Sequence, residues 1–422
     1  MEGHIFSLVI FLAAYILFIL FPGRRPVTAA GASLVLILTR MITPEEAFLA
    51  INWNVMGIFV GTLIVADVFM ESRVPAYIAE IIVARAKNTC QAILFICLLT
   101  GFISAFVENV ATVLIVAPIA FSLANKIKMN PVNMLIAIAV SSNLQGAATL
   151  IGDPPSMLLG GFTGMNFMDF FVYKGRPSIF FAVEAGAMVS FIVLFFIFRS
   201  RGERPDLPRE EKVRSWTPTV ILAAMISALA VSSFFDTGFS YMAGAICMVA
   251  GAISMVWEKF VNRGSILQGI KALDWETTFF LMGVFVLVGS VSQAGWVEVI
   301  SNSLSHWIKG DIFLGYTLIV VISVLLSAFI DNVPFLVAMF PVAVSMADKL
   351  QINPSLFLFG LLIGASLGGN LTPIGASANI VACGLLRKEG YKVSFGEFMR
   401  IGIPFTLSAV GAGYLFIWIV WK

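Results

Sequence analysis

The residues best suited to chemistry are acidic and amide side chains that interrupt long apolar runs. Glu108-Asn109 interrupts residues 91–125, and Asp331-Asn332 interrupts 311–347. Two further apolar runs, 132–161 and 355–385, are broken at mid-depth. The first break is Ser141-Ser-Asn143-Leu-Gln145-Gly-Ala-Ala-Thr149-Leu-Ile-Gly152-Asp153-Pro-Pro-Ser156. The second is Ser366-Leu-Gly-Gly-Asn370-Leu-Thr372-Pro-Ile-Gly-Ala-Ser377-Ala-Asn379. A carboxylate at the centre of a bilayer costs about 2.5–3.5 kcal/mol on insertion scales. Glu108, Asp153 and Asp331 are therefore expected to bind an ion or proton, or to hold a turn by accepting hydrogen bonds from broken-helix amides. Asp153 precedes Pro154-Pro155, so it can also cap the half-helix that follows. The amides of Asn109 and Asn332 can coordinate Na⁺ through their carbonyls or grip oxygen through their N–H groups, and Asn143, Asn370 and Asn379 join them as candidate substrate- or ion-binding residues. Thr149, Ser156, Thr372 and Ser377 add hydroxyls. A metal role is confined to Na⁺ at Glu108, Asn109, Asp331 and Asn332, with Na⁺ or H⁺ as coupling ion and no cofactor. Asp67 and Glu184 also lie inside apolar spans, where each can act as a relay or pair with a polar neighbour. No Lys or Arg falls within these motifs, which argues against a polyanionic solute.

Such groups need elements that can hold them in lipid. The chain of 422 residues is 59% hydrophobic and 12% charged. Soluble domains run nearer 45–50% apolar and about 25% charged. Lipid must therefore solvate much of the surface. The net charge of +2 says nothing about nucleic acid, but no basic run has the interleaved aromatics of a nucleic-acid groove, so no nucleic-acid partner is expected. The four cysteines form no CxxC pair, and two histidines cannot make a metal site alone. The sequence also lacks a Ser/His/Asp set, a zinc cluster and a phosphate loop, so an enzyme is not expected. Candidate spans are 5–22, 26–41, 53–72, 177–198, 217–235, 238–258, 276–294 and 402–421. The N-terminus (MEGHIFSLVI) reads as the first span rather than a removed signal. The runs holding Glu108 and Asp331 read as re-entrant helical hairpins, and those holding Asp153 and Asn370 as broken helices. The more polar segments 74–88 and 296–308 read as interfacial helices.

The halves repeat. Ser104–Val110 (SAFVENV) lies on Ser327–Val333 (SAFIDNV) at an offset of 223, and Gly146, Thr149, Ile151 and Gly152 lie on Gly369, Thr372, Ile374 and Gly375. Coincident Asn, Pro, Thr and acidic positions in one register are the mark of a transporter fold. The expected fold is an all-α polytopic membrane protein of two inverted repeats. Each repeat has five transmembrane helices, including one broken helix, and one re-entrant hairpin. The divisions are 1–198 for the first repeat, 199–216 for a cytoplasmic linker and 217–422 for the second repeat. On that topology twenty of the 26 Lys and Arg, Arg25 among them, fall on one side. The positive-inside rule makes that side cytoplasmic. The protein is then a multi-pass inner (plasma) membrane protein with both termini outside.

SAFVENV, SAFIDNV, ATLIGDPPSM and GGNLTPIGASANIV resemble motifs of an ion-transporter superfamily. That superfamily holds arsenite permeases, NhaD-type sodium–proton antiporters, the pigmentation P-protein, silicon effluxers and divalent-anion/sodium symporters. The similarity is strongest to the arsenite-permease/NhaD/P-protein branch of these citrate-transporter-like proteins. It implies hairpins entering from opposite faces, a homodimer, and an elevator-like motion. It also implies substrate and cation sites at Glu108-Asn109, Asp331-Asn332, Thr149 to Ser156, and Asn370 to Asn379. The dicarboxylate symporters carry Ser-Asn-Thr at each tip, and this chain departs from that pattern. The expected activity is cation-coupled permeation or export: Na⁺/H⁺ exchange, or proton-driven efflux of a small inorganic solute such as arsenite or antimonite. The alternative is a sodium-coupled importer of di- or tricarboxylates or other anions.

Overall fold

The computed structural model describes residues 2–199, 211–236, 238–261, 269–271 and 273–422. Most of the expected linker, residues 200–210, lies outside the described residues, as do Arg201, Arg204, Arg209 and Arg263 of the charge assignment.

Helices start where a short polar side chain meets an apolar run. Asn52 accepts from the Val55 N–H at 3.1 Å and opens α4 (Trp53–Glu71). Asp274, 222 residues on, accepts from the Thr277 N–H at 2.9 Å and opens α13 (Trp275–Gln293). Asn88 and Asp311 cap α6 (Thr89–Ser104) and α15 (Ile312–Ser327) in the same way. Each cap satisfies an amide left over at a helix start. The repeat seen in the residues thus extends to the signals that begin the helices.

The first half continues with α1 (Glu2–Leu20), α2 (Arg25–Leu38), α3 (Pro44–Ala50), α5 (Val74–Ala84), α7 (Asn109–Lys126), α8 (Val132–Gly146), α9 (Pro154–Thr163) and α10 (Ile179–Phe198). The second half has α11 (Thr217–Ser232), α12 (Met242–Val261), α14 (Trp296–Ile308), α16 (Asn332–Lys349), α17 (Ser355–Gly368), α18 (Ser377–Lys388) and α19 (Phe395–Trp421). Among the described residues, six helices are long and apolar enough to cross a membrane, and eight shorter apolar helices accompany them. Large apolar side chains are exposed along their outer faces: Ile192, Phe196, Val249, Leu325 and Ile419 are all more than half accessible. The protein is an all-α polytopic membrane protein whose outer surface is solvated by lipid.

Three features lie outside the expectation. The short helix α3 is set by a capping box in which the Thr43 hydroxyl and the Glu46 carboxylate satisfy each other's backbone N–H groups. A two-residue hairpin, β1 (Val172–Tyr173) with β2 (Arg176–Pro177), turns the chain into α10. The last span begins seven residues earlier than expected, at Phe395, because Ser394 caps it, and Pro404 lies inside it.

The halves exchange packing partners. In the first half α4 packs along α12, and in the second α13 packs along α2. The axes approach closely because the contact residues lack side chains. A Cβ on Gly283 would lie 2.6 Å from the Ala29 Cβ. One on Gly61 would lie 2.6 Å from the Met248 amide. Inside this frame α6 packs on α8, α15 on α17, and α10 on α19. The two broken helices and two hairpins are thereby enclosed at the centre.

Candidate functional site

Each hairpin turns within four residues. Helix α6 ends at Ser104 and α7 begins at Asn109; α15 ends at Ser327 and α16 begins at Asn332. The tip carboxylates cap the second arm of each hairpin. Glu108 accepts from the Ala111 N–H at 3.0 Å, and Asp331 from the Val333 N–H at 3.0 Å. Asp153 does the same for α9, accepting from the Ser156 N–H at 2.9 Å. All three carboxylates therefore hold turns. All three also face one central cavity of about 370 Å³.

The tip asparagines are oriented by serines one turn back. Ser104 donates to the Asn109 Oδ1 at 2.6 Å, and Ser327 donates to the Asn332 Oδ1. With each carbonyl already accepting, the Nδ2 groups are the donors left to meet a solute. Ser142 joins the first set, at 2.9 Å from the Ser104 hydroxyl, and donates to the Asn109 carbonyl at 3.1 Å. Asn109 rests directly on Gly146, where an added Cβ would come within 2.8 Å of its Nδ2.

The remaining polar residues form a layer behind the cavity, joined to its wall through Asn143. Thr149 donates to the Ala105 carbonyl, and Thr372, 223 residues on, donates to the Ala328 carbonyl. These bonds tie each break to the tip of its own hairpin. Across the halves, Asn143 Nδ2 donates to Asn370 Oδ1 at 2.8 Å and to Asn379 Oδ1 at 2.9 Å. Asn370 donates back to the Val140 carbonyl at 3.1 Å. Asn379 donates to the carbonyls of Gly369 and Thr372, both at 3.0 Å. Ser156 donates more weakly to the Gly146 carbonyl, at 3.4 Å. Unwound carbonyls inside an apolar bundle are thus satisfied by side-chain amides and hydroxyls.

Of the twelve residues singled out from sequence, the structure brings seven to the cavity wall: Glu108, Asn109, Asn143, Asp153, Asp331, Asn332 and Ser377. Thr149, Ser156, Asn370, Thr372 and Asn379 sit behind it, each no more than 1% exposed. Asp67 joins the wall from α4, while Glu184 is on α10.

Sequence reasoning missed Arg25. The expectation that no base stands among the acidic motifs is overturned: the Arg25 Nη1 lies 2.6 Å from the Asp331 Oδ2, with both side chains about one-fifth exposed. Arg25 opens α2, and α2 packs on α13 beside the second hairpin. Position along the chain placed it in a loop between spans, and nothing local signals a partner 306 residues away. Tyr15, on α1, reinforces the contact by donating to the Pro334 carbonyl just past the tip. The start of α13 contributes Asp274 and Glu276 to the same wall, also unanticipated. Among the described residues, six acidic residues (Asp67, Glu108, Asp153, Asp274, Glu276 and Asp331) thus line the cavity with one guanidinium. Among the described residues no cluster of three or more His, Cys, Asp or Glu has the geometry of a metal site.

Comparison with known proteins follows this architecture. The sequence profile of a family described as citrate transporter matches residues 15–351 and 242–422. Relatives include an uncharacterised transporter of Mycobacterium tuberculosis, 27% identical over 427 residues that cover 98% of this chain and 97% of the relative. The P protein of Mus musculus is 26% identical over 457 residues, covering 87% of this chain and 54% of the P protein. Among solved structures, the YdaH transporter of Alcanivorax borkumensis superposes with a TM-score of 0.63 at 15% identity, over 92% of this chain and 88% of that one. MtrF of Neisseria gonorrhoeae gives 0.57 at 14% identity, over 92% and 84%. At such identities the structural likeness speaks for the fold.

Proposed function

The chain belongs to the citrate-transporter family of membrane transporters, and on that premise we propose that it is a cation-coupled secondary active carrier, not an enzyme. The observation that carries this reading is the imbalance of the cavity, six carboxylates against one guanidinium. A cleft of one sign walled by apolar helices concentrates the opposite ion. The coupling ion is Na⁺ or H⁺, held at Glu108 and Asp153 with Asn109 beside them, and exchanged at Asp331 and Asn332 against Arg25. The first activity to expect is Na⁺/H⁺ exchange, or proton-driven efflux of a small oxygen-rich solute such as arsenite or antimonite. The halves 1–198 and 217–422 act as inverted repeats joined by 199–216 on the cytoplasmic side, in a homodimer with both termini outside.

One observation favours a second reading, sodium-coupled uptake of a di- or tricarboxylate. Arg25 and the Nδ2 groups of Asn109 and Asn332 give the cavity donors that suit carboxylate oxygens, and the family description points the same way.

The test is proton flux in proteoliposomes loaded with a pH-sensitive dye. A pulse of Na⁺ should collapse an imposed pH gradient, and Glu108→Gln and Asp331→Asn should each suppress the response at least tenfold. A wild-type gradient indifferent to Na⁺ removes exchange; labelled citrate uptake and arsenite efflux then decide what remains. Full-rate transport by both variants would defeat the assignment of these carboxylates.

A further inference from the structure

The acidic wall of the cavity continues beyond it, along the seam between α4 and α12. Asp67 lines the cavity, and Glu71, the last residue of α4, lies one turn on, about 6 Å along the axis. Helix α12 brings a third acid. It runs parallel to α4 in close contact: a Cβ on Gly57 would lie 3.0 Å from the Gly244 Cα, and one on Gly251 would lie 3.2 Å from the Ile64 Cδ1. Both contacts have an offset of 187. The same offset sets Ser254 level with Asp67, and Glu258 level with Glu71. Ser254 belongs to the stripe of α12 buried against α4, with Gly244, Cys247 and Gly251. Glu258 is close enough to act electrostatically on both Asp67 and Glu71.

Packing does not require these acids. The corresponding seam of α13 with α2 has Gly289 and Gln293 where α4 has Asp67 and Glu71, and α2 has no acid at all. Placement also works against them. Glu71 and Glu258 sit in the last turns of parallel helices, where the negative ends of two dipoles repel a carboxylate. Arg214 acts on Glu71 from the segment that crosses the end of α4, where the Arg214 N–H donates to the Ser72 carbonyl at 3.0 Å. Arg73 is paired with Glu211 instead, also at 3.0 Å. Of the other helices packed on α4, α9 and α11 carry no charged residue, and α5, α7 and α13 carry Glu80, Lys126 and Glu276.

An independent observation points to an occupant of the seam. Ser254 is 1% exposed, and among the described residues its hydroxyl has no hydrogen-bond partner. Buried hydroxyls are otherwise paired. A hydroxyl both donates and accepts, so it can pass a proton on. Among the described residues no three acids converge as a metal cage. They are strung along the seam, an arrangement suited to a moving proton rather than a held ion.

We propose that Glu258, Glu71, Ser254 and Asp67 form a proton path between the central cavity and the membrane face where α4 and α12 end. The bias of Lys and Arg predicts that face to be cytoplasmic. A proton arriving at Glu258 or Glu71 turns the carboxylate into a neutral acid. Its transfer to Asp67 restores that carboxylate and neutralises Asp67 at the cavity wall. Ser254 shortens the last step by accepting one proton while releasing its own. The path rests on the cation-coupled reading above with H⁺ as the coupling ion.

The experiment compares two fluxes in proteoliposomes. One is net proton movement, read by an internal pH-sensitive dye. The other is self-exchange of labelled solute at equal concentrations and equal pH on both sides, which needs no net proton. Na⁺, arsenite and citrate are each offered, and the solute that moves protons through the wild-type protein is used. Glu71→Gln/Glu258→Gln should slow proton movement about tenfold or more and leave self-exchange at the wild-type rate. Glu71→Gln/Glu258→Asp, which keeps one carboxyl, should recover most of the proton movement. Ser254→Ala should slow it several-fold, again without touching self-exchange, and decides alone if the double variant elutes as aggregate. Equal loss of both fluxes would show a structural role and overturn the path. Wild-type proton movement in the double variant and in Ser254→Ala overturns the path and leaves the coupling in place. Failure of all three solutes to move protons through the wild-type protein removes proton coupling and the path together.

Discussion

Arg25 and Asp331 are where residue-scale chemistry departs most from the pattern of the chain. A carboxylate one-fifth exposed in a membrane protein is costly to leave unpaired, and the guanidinium at 2.6 Å offsets that cost. Arg25→Ala should therefore destabilise the protein by about 1–2 kcal/mol, less than for a fully buried pair because both groups remain partly solvated. Arg25→Ala/Asp331→Ala should cost less than the sum of the single changes in thermal unfolding, since each single change strands a charge. The swapped variant Arg25→Asp/Asp331→Arg should recover part of that loss. Gly146 has a sharper role. Its missing side chain seats Asn109, so Gly146→Ala must push the amide toward the cavity. Solute flux should fall at least tenfold while the unfolding temperature stays near wild type; an unchanged initial rate would show that the position of Asn109 does not matter.

At the scale of elements, most of the architecture was legible. The apolar runs located the long helices, the two hairpin turns and the two helix breaks, because backbone in lipid must be helical except where it lines protein or a cavity. Polar residues inside those runs marked the breaks for the same reason. The residues placed behind the cavity, Thr149 and Asn379 among them, carry the same types as those that line it. A hydroxyl or amide at a helix break serves either an unwound carbonyl or a solute, and spacing does not separate the two uses. The short helix α3 went unseen because its signal is a single capping box in a seven-residue segment. Close contact between α2 and α13 gives a prediction at this scale. Gly283→Leu should separate the axes and move Arg25 away from Asp331. Loss of stability by about 2 kcal/mol or more in unfolding assays is expected from such overpacking, and wild-type stability would mean that the helices part easily.

For the whole molecule, the exchanged packing of α4 with α12 and α13 with α2 links the two halves around one cavity. The bias of Lys and Arg predicts an orientation in the membrane with both termini outside. Alkaline phosphatase fused after Lys422 should then be active and a fluorescent protein in the same place dark; the reverse pattern would invert the assignment.

The sequence by itself determined the solvent, the spans, the two breaks and the two acidic tips, because each depends on local polarity along one segment. It also carried the family in its motifs. Only the tertiary structure decided which polar residues face the cavity and that Arg25 is the partner of Asp331. Those facts depend on distances between segments far apart in the chain, and such distances are fixed by packing rather than by any residue's neighbours in sequence.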